Sequence, residues 1–244
     1  MAASTLRPLG TLCSMPVRLV TLDCANTLLR GSWEPVEFAL WAAREAGLCL
    51  PSRAGTEYAA LLRTHYPAIL AANRTGNYAT VQAEYVALGE KWLEGLDVDP
   101  GIAPEVVKAS GSILTSTTSG LFEPFEDTIL FLQRARAEGL RLTVVSNWDA
   151  SLPLVLEAHG LAGLVDEAYA SLVVGAEKPD PTMLRLAIKS AGVAPEETLH
   201  IGDDPIDDLG AAVNAGVQGL LIDRKSASQG NTISTLMEAF AWIG

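Results

Sequence analysis

Arg18-Leu19-Val20-Thr21-Leu22-Asp23-Cys24-Ala25-Asn26-Thr27-Leu28-Leu29 is the stretch that decides how this chain folds. A short apolar run reads as a buried strand, and a carboxylate closes it where the chain breaks into a turn. Open α/β sheets gather their ligands and chemistry at the carboxyl ends of strands. A carboxylate placed there can act as a nucleophile and form a covalent acyl intermediate. Read alone, Asp23 is more often a turn or helix-capping residue, so the rest of the chain has to decide.

Downstream of this strand, helical signals come first. Residues 35–46 carry apolar side chains at helical spacing, with Pro35 at the start and Gly47 after the end. Further helices are predicted over 54–72, 78–94 and 103–115. The pattern then alternates: a helix over 125–137, a strand over 140–145, a helix over 151–159, a short strand over 165–171 and a helix over 180–191. A strand at 198–201, a helix at 206–215, a strand at 217–222 and a last helix at 232–242 follow. Alternating strands and helices imply a parallel sheet with right-handed crossovers. The expected fold is therefore α/β: a Rossmann-like core of residues 16–30 and 121–244, with an all-helical cap inserted over 31–120.

Three more strand or loop ends carry polar groups. Ser146-Asn147 follows Val144-Val145. Lys178 lies in Gly175-Ala176-Glu177-Lys178-Pro179-Asp180-Pro181. Asp203 follows Leu199-His200-Ile201-Gly202 and opens Asp203-Asp204-Pro205-Ile206-Asp207-Asp208. Taken singly they read as a helix cap, a solvated lysine and a dipole-favoured helix start. Along one sheet edge they form one site. Asp23 and Asp203 then offer hard oxygen ligands suited to Mg²⁺, and without a cation two facing carboxylates repel. Lys178 supplies a fixed positive charge for a phosphate or for a developing negative charge. Ser146 and the helix start behind it can donate hydrogen bonds to an anion.

The chain has 244 residues, 49% of them hydrophobic, and carries 29 acidic against 17 basic side chains for a net charge of −12. Nucleic acid would be repelled, and no apolar stretch is long enough to span a membrane. An anionic small substrate would need a local cation or metal to overcome the same field. Cys13, Cys24 and Cys49 are odd in number, lack metal-ligand spacing and read as free thiols in a reducing, cytoplasmic setting. Residues 1–15, with Arg7 and no acid, are faintly like a transit peptide and read as a disordered extension.

With these four segments in this order, and a helical insertion after the first, the chain resembles the haloacid dehalogenase-like hydrolase superfamily with its first class of cap. The strings Leu22-Asp23-Cys24-Ala25-Asn26-Thr27-Leu28-Leu29, Ser146-Asn147-Trp148-Asp149 and Glu177-Lys178-Pro179-Asp180-Pro181 look most like the subgroup of haloacid dehalogenase-like hydrolase domain-containing protein 3. The resemblance implies roles. Asp23 would be the nucleophile and a Mg²⁺ ligand, the Ala25 carbonyl a second ligand and Asp203 the third. Ser146 would bind the transferring phosphoryl group, and Lys178 would steady it together with Asp23. Asn147 and Asp208 would stand behind these residues, with Asp204 and Asp207 as weaker candidates for that place.

One position departs from the pattern. Phosphatases of this family carry a second Asp two residues after the nucleophile, as general acid and base, and here that position is Ala25. A positioned acid or base contributes ~10²–10⁴-fold, so what the resemblance implies is a weak phosphatase whose partner is a small phosphorylated substrate. Asp149, Glu177 and His65 are candidate substitutes. Two alternatives stand beside it: a weakened member kept for binding, and C–P bond hydrolysis of the phosphonoacetaldehyde hydrolase kind. The latter has Ala at this position but needs a cap lysine, for which only Lys91 and Lys108 are available. Trp33, Trp41, Tyr66, Asn73, Arg74 and Tyr78 are candidates to line the entrance, although aromatic residues on helices are more often core.

Overall fold

The structure is a computed structural model that describes residues 16–31 and 33–243. The 1–15 extension and Cys13 lie outside the described residues. The core is one sheet whose strands are β1 (Leu19–Leu22), β4 (Arg141–Ser146), β5 (Glu167–Ala170), β6 (Thr198–Gly202), β7 (Gln218–Ile222) and β8 (Thr232–Ile233). Their order is β5-β4-β1-β6-β7-β8 and every pairing is parallel. β1 lies in the middle, so Leu19 to Leu22 are all buried, as a parallel strand covered on both faces requires.

Two layers of helices cover the sheet. Leu19 and Val145 face α8 (Thr182–Ala191) and α9 (Asp208–Ala215), packing with Met183, Leu184, Ala187 and Ala211. Val20, Leu22 and Val144 belong to the opposite core, shared with Phe131 and Leu132 of α5 (Thr128–Ala137) and Val155 of α6 (Leu152–Ala158). α5 starts at Thr128 rather than 125, because Glu123–Pro124 forms a short strand, β3, and Thr128 Oγ1 donates to the Leu28 carbonyl at 2.7 Å. The short α7 (Ser171–Val174) directly follows β5. A helix over 232–242 is corrected: Thr232–Ile233 joins the sheet edge beside Leu221 and Ile222, and only a 3₁₀ turn and the short α10 (Phe240–Ile243) remain. Two residues of backbone pairing at an open edge win there over a weak helical pattern.

β2 (Leu29–Arg30) pairs antiparallel with β3, Leu29 opposite Pro124 and Arg30 opposite Glu123. This ribbon closes off everything between. Within it lie α1 (Pro35–Glu45), α2 (Arg53–Asn73), α3 (Tyr78–Glu94) and α4 (Ala103–Leu114), close to the predicted boundaries. Gly31 permits the crossing: its φ is +150°, and a Cβ there would lie 1.9 Å from the Leu121 carbonyl oxygen. Gly55 likewise lets α2 approach Val36 of α1, where a Cβ would meet its carbonyl oxygen at 2.5 Å. Trp92 is fully buried in this block, and its indole N–H donates to the Ala54 carbonyl at 2.7 Å, as a buried Trp requires.

Candidate active site

β1, β4 and β6 are neighbours, and their carboxyl ends bring Asp23, Ser146 and Asp203 to one edge. Asp23 is 6% exposed. Its Oδ1 accepts a hydrogen bond from Ser146 Oγ at 3.0 Å and another from Lys178 Nζ at 2.5 Å. Lys178, also buried, arrives on the loop before α8 and is held by its own backbone. Asn147 Oδ1 accepts from the Lys178 N–H at 2.8 Å, and Asn147 Nδ2 donates to the Lys178 carbonyl at 3.1 Å and to Asp207 Oδ2 at 3.2 Å. Asn147 therefore touches the Lys178 backbone from both its amide atoms.

Asp208 lies underneath. Its Oδ1 accepts from Lys178 Nζ at 2.6 Å and bonds His200 Nε2 at 3.2 Å, while its Oδ2 accepts from the Asp204 N–H at 2.9 Å. Gly202 makes room for it: a Cβ there would come within 2.2 Å of the Asp208 carboxylate. His200 is fully buried, and its Nδ1 is 2.9 Å from Thr21 Oγ1 on the neighbouring strand. A hydrogen-bonded chain thus runs Thr21–His200–Asp208–Lys178–Asp23–Ser146 through the centre of the sheet. Asp204 instead caps its own turn, accepting from the Ile206 and Asp207 N–H groups.

Charge explains the protonation pattern. Burial would lower the Lys178 pKa, but Asp23 and Asp208 more than offset it, so the ammonium is held. Burial pushes Asp208 up, but its hydrogen bond to His200 and the Lys178 charge outweigh that and hold it below the usual carboxylate range. Burial raises Asp23, against the pull of Lys178. Asp203 is pushed up to about 6, first by burial and then by the charges of Asp23 and Asp208. Cys24 beside the nucleophile position is buried, its thiol pushed well above the ordinary range, and so is inert.

Carboxylate oxygens of Asp23, Asp203 and Asp208 lie within 4.8 Å of one another. Three carboxylates against one ammonium leave two negative charges, and the donors are all hard oxygens. The residues therefore fit Mg²⁺. Both oxygens of Asp208 already serve protein donors, which leaves Asp23 and Asp203 as the side chains able to hold a cation.

Beside this edge a cavity of about 510 Å³ opens between the core and the four helices, with Ala25, Asn26 and Asn147 on the core side. Of the candidate entrance residues, Trp33, Tyr66 and Tyr78 line it. Trp41 does not; its indole bonds Glu45 on the same helix. Asn73 is a buried tie, accepting from the Ala150 N–H at 2.7 Å and donating to the Ile69 carbonyl. Arg74 rests on Gly175, donating to its carbonyl at 3.4 Å. Tyr58, Tyr85, Trp92 and Trp148 also line the cavity, which sequence reasoning missed. His200 and Thr21 were missed as well, although two polar residues inside otherwise apolar strands were a usable signal.

The candidate substitute acids are also placed. Asp149 is engaged: Oδ1 accepts from the Ser151 N–H and hydroxyl, and Oδ2 from Tyr85 at 3.4 Å. His65 pairs with Glu84 at 3.0 Å and is not among the cavity residues. Glu177 reaches the cavity, as does Tyr66. Lys91 and Lys108 are exposed, and neither lines this cavity. Among the described residues no helix is long and apolar enough to cross a membrane.

A family model described as haloacid dehalogenase-like hydrolase matches residues 17–216. The chain is 29% identical to haloacid dehalogenase-like hydrolase domain-containing protein 3 of Danio rerio, over 88% of both chains. It is 40% identical to a phosphoserine phosphatase of Thermus thermophilus, over 38% of each. Among solved structures, a 2-haloacid dehalogenase from Pseudomonas syringae superposes with a TM-score of 0.64 at 20% identity, covering 93% of this chain and 97% of that one; at that identity the likeness concerns the fold.

Proposed function

This chain belongs to the haloacid dehalogenase-like hydrolases, and we propose that it is a Mg²⁺-dependent phosphatase for a small phosphorylated metabolite, working through an aspartyl phosphate on Asp23. One observation carries the reading. Asp23 is buried at the central strand end with both of its hydrogen bonds, from Ser146 and Lys178, on Oδ1, so Oδ2 is the oxygen available to attack phosphorus.

The chain's own residues supply most of the chemistry. Attack by Asp23 forms a P–O bond as the ester P–O bond breaks and the leaving oxygen departs with its electron pair. Lys178 and Ser146 hold the carboxylate and face the anionic phosphoryl oxygens. Water then attacks phosphorus, the bond to Asp23 breaks, and inorganic phosphate and the free carboxylate result. Mg²⁺ held by Asp23, Asp203 and the Ala25 carbonyl would neutralise charge on the phosphoryl group. Asp208 and Asn147 keep Lys178 in place from its two ends. The four helices act as the cap, tied to the core by Asn73, Arg74 and Tyr85.

Ala25 presents no acid to the leaving group or base to water, so turnover is slow and the aspartyl phosphate accumulates. The same feature favours a second reading, a weakened member kept to bind its ligand. The cap-lysine route loses support, because neither Lys91 nor Lys108 is among the residues that line the cavity. Beryllium fluoride, which mimics an aspartyl phosphate, tests the proposal. It should bind only with Mg²⁺ present and not to Asp23→Asn. Binding that survives the substitution removes Asp23 from the role. Binding without turnover on any phosphate ester selects the second reading.

A further inference from the structure

The cavity beside Ala25 has an unusual lining for a site meant to hold an anion. Aromatic rings dominate its walls: Tyr58 meets Trp92 edge to face with centroids 5.1 Å apart, and Phe122 packs on Trp148 at 5.0 Å. Asp149 and Glu177 are the charged residues on the wall; among the described residues no Lys, Arg or His lines it. A volume of about 510 Å³ suits a ring system larger than a short sugar or amino-acid fragment. A second anionic group on the substrate would find no cation among the described lining residues and would face the half-buried Asp149 and the exposed Glu177.

The missing acid points the same way. An alkoxide is a poor leaving group unless protonated, whereas a phenolate, whose conjugate acid has a pKa of about 10, departs without help. A site with Ala25 at the leaving-group side and aromatic walls beyond it is matched to a leaving group that is itself an uncharged aromatic alcohol. We propose that the substrate is an aryl phosphate monoester whose leaving group is an uncharged phenol held in the Tyr58–Trp92–Trp148 cavity, and that esters carrying a further carboxylate are rejected. The proposal rests on the phosphatase reading: Asp23 takes the phosphoryl group, and the phenolate leaves with the P–O electron pair and takes its proton from water.

Two measurements separate failure of this proposal from failure of that reading. The first needs no catalysis. Naphthol titrated into the metal-free protein should quench the fluorescence of Trp92 and Trp148, and hydroxynaphthoic acid should bind at least about tenfold more weakly. The second is a rapid-mixing assay with Mg²⁺. Naphthyl phosphate should release naphthol in a burst approaching one equivalent per chain before a slow steady rate, and its carboxylated analogue should show no such burst. Gln82→Lys, which puts a cation on the wall, should raise the rate ratio of the carboxylated ester to the plain one. Equal binding of the two naphthols, or an unchanged ratio in Gln82→Lys, overturns the aryl proposal while beryllium fluoride binding at Asp23 keeps the phosphatase reading. Loss of beryllium fluoride binding together with absence of any burst overturns both.

Discussion

The strand-end edge and the cap cavity lie side by side and are built on opposite principles. At the edge, Thr21, His200, Asp208, Lys178, Asp23 and Ser146 form one connected chain of hydrogen bonds. In the cavity, rings and aliphatic side chains prevail, and Asp149 is already engaged with Ser151 and Tyr85. The edge is suited to one reaction on one kind of group. On the proposed function, the cavity sets what that group is attached to. Ala25 stands at the boundary, where the proposed mechanism would call for an acid.

The largest effect should come from the edge. Asp23→Asn replaces the proposed nucleophile with an amide, and turnover should fall by at least about 10⁴-fold, with circular dichroism unchanged. Residual activity near that of the parent would move the chemistry off this edge.

Lys178→Met should come next, because Asp23 and Asp208 would be left buried with no ammonium between them. Removing one partner of a buried ion pair costs ~3–5 kcal/mol, to be read from urea unfolding of the metal-free protein. Added Mg²⁺ should restore part of that loss, since it can neutralise Asp23. A cost under about 1 kcal/mol would mean that water, not Lys178, compensates these carboxylates.

Ala25→Asp tests the boundary itself. A carboxyl there would supply the missing proton, so kcat/KM on an alkyl phosphate should regain part of the ~10²–10⁴-fold acid–base contribution. An aryl phosphate should gain less in its first step. An equal change on both, or none on either, would show that the missing acid does not limit this site.

Asp203→Asn should have the smallest effect, and its sign depends on pH. In the folded chain the Asp203 carboxyl is pushed up to about 6, against about 3.9 when unfolded. A raised carboxyl makes the folded state less stable above the folded value and leaves it unaffected below the unfolded one. The variant should therefore melt a few degrees higher than the parent at pH 7 to 8 without metal, and the gap should close as the pH falls through that window. With Mg²⁺ the order should reverse, because only the parent keeps both carboxylates for the cation. The same melting order with and without Mg²⁺ would place the metal elsewhere.

The edge was legible in the sequence because parallel strands fix it locally. A polar residue that ends an apolar run must emerge at the strand's carboxyl end, so Asp23, Ser146 and Asp203 could be assigned to one edge before any distance was known. Even Asp208 follows, since five residues from Asp203 carry it to the first turn of α9 beneath Lys178. The cap helices were equally readable, from apolar spacing with proline and glycine stops. What failed were the short elements: β2, β3 and β8 span two residues each, too short to show a period, and they exist because a partner strand lies beside them.

The cavity belonged to the tertiary structure alone. Tyr58 comes from α2, Tyr85 and Trp92 from α3, and Phe122 and Trp148 from loops, and each, read locally, is an ordinary core position. Whether such a ring fills a core or walls a cavity depends on how closely the facing helices approach, which no local pattern encodes. The sequence by itself determined the α/β sheet, the charges along its edge and the absence of an acid at Ala25, because these follow from strand alternation and residue identity. Only the folded chain decided that Asp208 is bonded through both oxygens, that His200 stands behind it, and that the space beyond Ala25 is aromatic and free of cations.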